Sequence, residues 1–186
     1  MHNIALHTRV LAAAFAAAFL MLFVGASATS ASAAPAAGPN TGFGFNAGDV
    51  SGFPTGTVFL TGGGAFNSAT GFAHSAGGFR CSSAVSQGPL AGCLTGEGVR
   101  WDTANLLRDT TFKCTGAASE ALKPASTSED TVVLSADFYR AGDGNNESFT
   151  ANMIVAAHDI APDVAGVQNV WVQGVGCANA VAHFSS

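Results

Sequence analysis

The stretch TVVLSADFYRAGDGNNESFTANMIVAA, residues 131–157, decides the fold class. Apolar side chains occupy every second position on one side of residues 131–140 and again in residues 148–157, namely Val132, Leu134, Ala136 and Phe138, then Phe149, Ala151, Met153 and Val155. A period of two predicts β-strands with one buried face. The segment between them, AGDGNNE, is rich in residues that accept positive φ, so it predicts a hairpin loop.

The segments on either side continue the β pattern. In residues 167–177, Val170 and Val172 alternate with polar or amphipathic neighbours, which predicts a third long strand, and residues 180–184 predict a terminal one. Upstream, residues 57–60 read as a strand, and GGGAF and AGGF read as two strand edges separated by the turn NSATG. Residues 101–107, WDTANLL, predict a single helical turn capped by Asp102 or Thr103. The sum is an all-β domain, a single antiparallel sandwich or barrel of about eight to ten short strands with at most one helical turn.

The N-terminus predicts export. Arg9 precedes an uninterrupted apolar run at residues 10–24, and small residues follow it. This is the layout of a secretory signal peptide, and the run is short for a bilayer span, which needs about 20 residues. Ala31-Ser32-Ala33 predicts cleavage after Ala33, with Ala28 as the alternative site. We therefore expect a secreted chain, extracellular or periplasmic, with no membrane association after cleavage.

The remainder of the chain predicts one domain. Residues 34–46 are small and polar apart from two phenylalanines and predict a flexible lead-in, followed by a β-rich domain at 47–186. The chain has 7 Lys and Arg against 12 Asp and Glu, a net charge of −5. Because no basic stripe is available to follow a phosphate backbone, nucleic acid is excluded as a partner.

The four cysteines predict two disulfides, because their number is even and the chain carries an export signal. Of the three possible pairings, we favour Cys81–Cys93, which ties the ends of a polar loop, and Cys114–Cys177, which clips a central segment to the end of the last long strand. Structural zinc sites use closely spaced ligand pairs that this chain lacks, so no zinc and no other cofactor is expected.

Acid–base catalysis would require a histidine beside a carboxylate. The histidines beyond the predicted signal peptide are His74, His158 and His183, and the acids expected near them are Glu97, Asp137 and Asp159. The first residues to test as catalytic are His74, Glu97, Arg100 and Asp102, although no nucleophile elbow accompanies them. Asp143, Asn145 and Glu147 present oxygens at alternate positions, as calcium loops do, but the full twelve-residue pattern is missing.

These features favour a secreted, disulfide-stabilised β-domain with a non-catalytic binding or structural role. Two alternatives stay open. One is a small secreted hydrolase or isomerase with a His/carboxylate site in a barrel mouth. The other is a carrier whose phenylalanines line a pocket for a small apolar ligand. The ligand, the partner and the oligomeric state are not specified by the sequence.

Overall fold

The computed structural model describes residues 38–186, and every regular element within them is a β-strand. The strands are β1 (Thr41–Gly52), β2 (Thr57–Asn67), β3 (Phe72–Ser83), β4 (Arg100–Leu107), β5 (Asp109–Phe112), β6 (Lys123–Ser126), β7 (Thr131–Tyr139), β8 (Phe149–Ala156), β9 (Val170–Val172), β10 (Gly176–Ala178) and β11 (Ala180–Ser185). The two strands predicted from residues 131–157 are β7 and β8, paired as a hairpin. The predicted signal peptide lies outside the described residues.

Nine of the strands form one antiparallel sheet that closes on itself. Its order is β10-β9-β8-β7-β4-β3-β2-β1-β11, and β10 also pairs with β1. Closure depends on β1, which pairs with β2 along one edge and with β11 and then β10 along the other. The sheet is therefore a closed ring, the barrel alternative of the sequence-based prediction. The remaining two strands, β5 and β6, form a separate hairpin.

The interior of the ring is filled by side chains. Trp101 is fully buried there, and its indole N–H donates to the carbonyl of Thr61 at 2.9 Å. A Cβ atom at Gly62 or Gly77 would lie 2.5 or 2.6 Å from the Trp101 ring, so both positions require glycine. Aromatic contacts extend the core on either side, with Phe45 at 6.0 Å from Trp101 and Phe79 at 4.9 Å from Phe138, measured between ring centroids. The interior glycines of β2 and β3 thus leave the space that the Trp101 side chain occupies.

A second apolar cluster lies on the outside of the ring, under the β5–β6 hairpin. It contains Phe112, Val133, Ile154 and Trp171. The Trp171 indole N–H donates to the carbonyl of Lys113 at 2.9 Å, which fixes the hairpin on this face. Strands β7, β8 and β9 are consequently buried on both faces, which explains the continuous apolar runs in their sequences.

Both predicted disulfides are confirmed. Cys81–Cys93 closes a loop beside β3, and its sulfurs belong to the interior core. Cys114–Cys177 joins the segment after β5 to β10, within the outer cluster. Each bridge therefore stabilises a different core.

The predicted helical turn at residues 101–107 is wrong, because this segment is β4. A register shift between Thr103 and Asn105 inserts a bulge into the strand. Beyond the bulge, Leu106 packs against the interior core and Leu107 against the outer cluster. A bulge breaks the period of two, and the resulting spacing resembled that of a helix.

Two predicted boundaries also differ. Residues 167–177 were predicted as one strand, but they form β9 and β10, joined by a turn in which the Val175 N–H donates to the Val172 carbonyl at 3.1 Å. The lead-in was predicted to extend to residue 46, whereas β1 begins at Thr41 because Phe43 and Phe45 point into the core. Between residues 38 and 186, the chain contains no helix that is long and apolar enough to cross a membrane.

Candidate functional site

Two of the four residues predicted to be catalytic, Arg100 and Asp102, are in contact on the outer surface of β4, beside β7. Arg100 and Asp102 form an ion pair, with Nη1 and Oδ2 2.5 Å apart. The hydroxyl of Tyr139 donates to the other carboxylate oxygen of Asp102 at 3.2 Å, and the guanidinium of Arg100 lies 3.7 Å from the Tyr139 ring centroid. Glu97 lies nearby, 3.7 Å from the guanidinium of Arg140.

The calcium candidates fall in the loop between β7 and β8, beside these residues. Asp143 accepts hydrogen bonds from the Ser148 hydroxyl at 2.5 Å and from Arg140 Nε at 3.3 Å. The side-chain carbonyl of Asn145 accepts from Arg100 at 3.4 Å, and Glu147 is exposed. We call the whole set the β4–β7 polar cluster: Glu97, Arg100, Asp102, Tyr139, Arg140, Asp143, Asn145 and Ser148.

The side chains of this cluster satisfy one another. The hydrogen bond from Ser148 holds the pKa of Asp143 below its ordinary value, against the opposing effect of burial and with help from Arg140. Burial, and then the hydrogen bond to Asp102, raises the pKa of Tyr139. A neutral phenol and carboxylates committed to arginines are suited to fixing a loop rather than to proton transfer. Within residues 38–186, no three His, Cys, Asp or Glu side chains are close enough together to hold a metal ion.

His74 is separate from this cluster. It is exposed on the outer face of β3, and none of the carboxylates in residues 38–186 lies within 4.0 Å of its imidazole. His183 occupies the outer face of β11, where its pairing partner on β1 is Gly44. The predicted pairing of His74 with Glu97, Arg100 or Asp102 is therefore absent from the described fold.

Among the histidines in the described part of the chain, only His158 has a ring nitrogen within 4.0 Å of a carboxylate oxygen, and that carboxylate belongs to Asp130 rather than Asp159. Nδ1 of His158 lies 3.2 Å from Oδ2 of Asp130, and both side chains are more than half exposed. Asp159 instead accepts from two backbone N–H groups of its own loop, and Asp137 accepts from a threonine hydroxyl. The pairing was missed because Asp130 precedes β7 whereas His158 follows β8, and only the hairpin brings them together.

Ser128 gives this second site the composition of a hydrolase triad but not its geometry. Its hydroxyl donates to Asp130 at 2.6 Å, which lowers the pKa of Asp130, against burial and together with the nearby His158. In a Ser-His-Asp triad the histidine lies between the other two residues and takes the serine proton. Here the aspartate lies in the middle, so His158 does not activate Ser128.

A third charged group, also missed by the sequence analysis, lies beside the Cys114–Cys177 disulfide. Burial alone would raise the pKa of Glu120, but hydrogen bonds from Lys123, from the Thr115 hydroxyl and from two backbone N–H groups lower it to about 2. The Lys123 ammonium lies 2.8 Å from Glu120 and 3.0 Å from Asp163. These contacts clamp the segment between β5 and β6. Among the ion-paired side chains of the described residues, Glu120 and Lys123 are the least exposed.

The largest concavity among the described clefts is a groove of about 630 Å³ on the outside of the ring. Phe59 and Arg80 of neighbouring strands line one part of it, and Thr95, Gly96 and Val99 line the other. No carboxylate of residues 38–186 lies within 4.0 Å of the Arg80 guanidinium, so the groove presents a cation beside an apolar ring.

Comparison of the chain with protein-family models, with curated proteins and with solved structures finds no match to any of them.

Proposed function

We propose that this chain is a secreted, disulfide-stabilised domain with a non-catalytic binding or structural role. The observation that carries the proposal is the filled ring interior, where Trp101 occupies the centre and its hydrogen-bonding group is satisfied. In β-barrels that carry a small ligand inside, the ligand occupies the interior, and here side chains take up that space. With the interior occupied, the outer surface is left for contact with other molecules.

Two disulfides and a sequence typical of a signal peptide support the extracytoplasmic location. The polar residues support the absence of catalysis, because the β4–β7 polar cluster is satisfied internally and His74 has no acid partner within 4.0 Å in the described fold. The outer groove with Phe59 and Arg80 is the surface on which binding would be sought first.

Location is tested by expressing the full chain with its own N-terminus and analysing the exported protein by intact mass and thiol counting. We expect a chain that begins at Ala34 and contains no free thiol. A chain that keeps residues 1–33 and stays with the membrane would refute secretion.

The enzyme alternative rests on one specific observation, the 3.2 Å pair between His158 and Asp130. It is tested by assaying ester, amide and glycoside substrates with the wild-type chain, Asp130→Asn and Asp102→Asn. The proposal predicts no turnover above that of a heat-unfolded control. Turnover that is lost in Asp130→Asn and kept in Asp102→Asn would establish the hydrolase instead.

A further inference from the structure

Hydrogen bonds at the start of β11 show which way its backbone groups face. In an antiparallel strand the N–H and C=O of one residue point to the same side, and those of the next residue point to the other. The N–H and C=O of Ala180 both bond to the side chain of Asn169, at 2.7 and 3.0 Å, on the side away from β1. Ala182 and Phe184 follow at intervals of two, so their N–H and C=O groups face the same way.

Beyond Ala180 no strand of the described fold is hydrogen-bonded to this side of β11. In the order of the sheet β11 is bonded only to β1, and the adjoining strand β9 is only three residues long. The backbone groups of Ala182 and Phe184 therefore form an open edge, which we call the β11 edge, in a sheet that is otherwise closed into a ring. Unpaired edges of this kind are templates for another strand.

We propose that the β11 edge pairs with the β11 edge of a second copy of this chain. A two-fold axis through His183 places Ala182 opposite Phe184 of the second copy, and Phe184 opposite Ala182 of the second copy. Each of these residues then donates once and accepts once, so all the open backbone groups of both copies are used. Such an isologous contact is the commonest form of homodimer. The inference is independent of the proposed binding role.

The chemistry of β11 favours a second copy over a charged partner. The chain as a whole has a net charge of −5, yet residues 180–185 contain no Asp, Glu, Lys or Arg. Two acidic copies therefore approach each other at this strand with little repulsion, whereas a charged partner finds no charge to pair with. The same axis places Ser185 of the second copy beside Val181, which at 66% has the highest exposure of the large exposed apolar residues in the described fold.

The first experiment measures mass against concentration for the full chain by sedimentation equilibrium. We expect a monomer that becomes a dimer on concentration, because a contact of one strand edge falls among the weak interfaces, below about 1,200 Å². Ala182→Pro removes an N–H that faces the edge and donates no hydrogen bond to β1, so we expect a folded protein that stays monomeric. Ala182→Val is the matched control, since it adds similar bulk, keeps the N–H and should still dimerise. A wild-type chain that stays monomeric at every concentration would overturn the proposal.

The second experiment does not depend on how the proline variant folds. In the proposed register the two His183 Cα atoms form a non-hydrogen-bonded pair about 4.5 Å apart, within disulfide range. The two Val181 Cα atoms are four residues out of register and lie about 14 Å apart. His183→Cys should therefore form a covalent dimer on mild oxidation, and Val181→Cys should not. A mixture of Val181→Cys and Ser185→Cys chains should form the mixed dimer. Equal cross-linking of the His183→Cys and Val181→Cys variants would exclude this register.

Discussion

The two sides of the ring bury their strands in different ways. On the side of β1, β2 and β3 only the inner face is covered. The outer face includes a row of small residues across the strands, Gly44, Gly63 and Ala76, and it also exposes Phe59 and Phe72. On the side of β7, β8 and β9 the inner faces reach the interior core and the outer faces lie under the β5–β6 hairpin. The side of β1, β2 and β3 is thus a single layer in which Gly62 and Gly77 leave room for Trp101. The side of β7, β8 and β9 is a double layer whose second layer is the β5–β6 hairpin.

The largest expected difference between the two sides is in the free energy of unfolding that is lost when the tryptophan of each core is replaced by alanine. Trp101→Ala should lower the free energy of unfolding by about 5 kcal/mol, because the backbone around Gly62 and Gly77 is already in close contact and has little room to collapse. Trp171→Ala should cost about 3 kcal/mol, since the β5–β6 hairpin can settle onto the vacated space. Urea unfolding of both variants measures the difference. A larger loss for Trp171→Ala would mean that the outer cluster, and not the ring interior, dominates stability.

The disulfides provide the next comparison. Replacing Cys114 and Cys177 by alanine should cost about 4 kcal/mol, and replacing Cys81 and Cys93 about 3 kcal/mol, because the first bridge closes the longer loop. Thermal unfolding of the two double variants and of the wild-type chain gives the order. The reverse order would show that chain entropy is not the main contribution of these bridges.

A pair of adjacent glycines tests the single-layer side. Gly77→Ala should cost about 3 kcal/mol, because the new Cβ atom would overlap the carbonyl oxygen of Thr61 and lie 2.6 Å from the indole of Trp101. Gly78→Ala is the matched control and should cost less than about 1 kcal/mol, because its nearest contact is a methyl group at 3.2 Å on the outer face. Chemical unfolding measures both. Similar losses at the two positions would contradict the assignment of Gly77 to the Trp101 contact.

The smallest effect concerns acid stability of the clamp on the double-layer side. Glu120 has a folded pKa of about 2, below its ordinary value of 4.5, so its contribution is complete above about pH 4.5 and is lost as the pH falls toward 2. We expect a loss of about 2 kcal/mol over this range, less than the full shift implies, because water screens part of the interaction and because only about half of the Glu120 side chains are protonated in the folded protein at pH 2. Glu120→Gln should remove most of this dependence, which unfolding curves at pH 2 to 6 would detect. The control is Glu147→Gln, on an exposed loop residue, and an unchanged acid slope in Glu120→Gln would reject the clamp.

Local patterns were sufficient for the β7–β8 hairpin, and the even number of cysteines was sufficient for two bridges, although the favoured pairing was one of three that the sequence allowed. The β7–β8 pair was predictable because alternation and turn chemistry lie within 27 residues of continuous sequence, 131–157. The strand β4 was not, because the bulge after Thr103 changes which face each leucine occupies, and only packing against two different cores makes that arrangement favourable. The separation of β9 from β10 was missed for a related reason, since both short strands are held by pairing with distant partners.

The contacts of the candidate site are also of two kinds, those within one strand and those between elements that only the fold brings together. Arg100 and Asp102 were grouped because they lie close together in the sequence around Trp101, although a helical turn was predicted there. They form an ion pair because this segment is the strand β4, in which residues two apart share a face. The partnership of His158 with Asp130 and that of Lys123 with Asp163 join residues from separate elements, so they follow from the topology alone. His74 is the opposite case, a residue whose closeness in sequence to polar neighbours did not become closeness in space.

The sequence by itself determined that this chain is built from β-strands, that its cysteines pair as two bridges and that its N-terminus is typical of an exported protein. Alternation, turn composition and cysteine number are local or additive properties, and they can be interpreted without coordinates. Only the tertiary structure decided that the sheet closes into a ring, that Trp101 fills it and that β11 keeps an open edge. These properties depend on register between strands far apart in the sequence, and the free energy that selects a register comes from packing of the whole core.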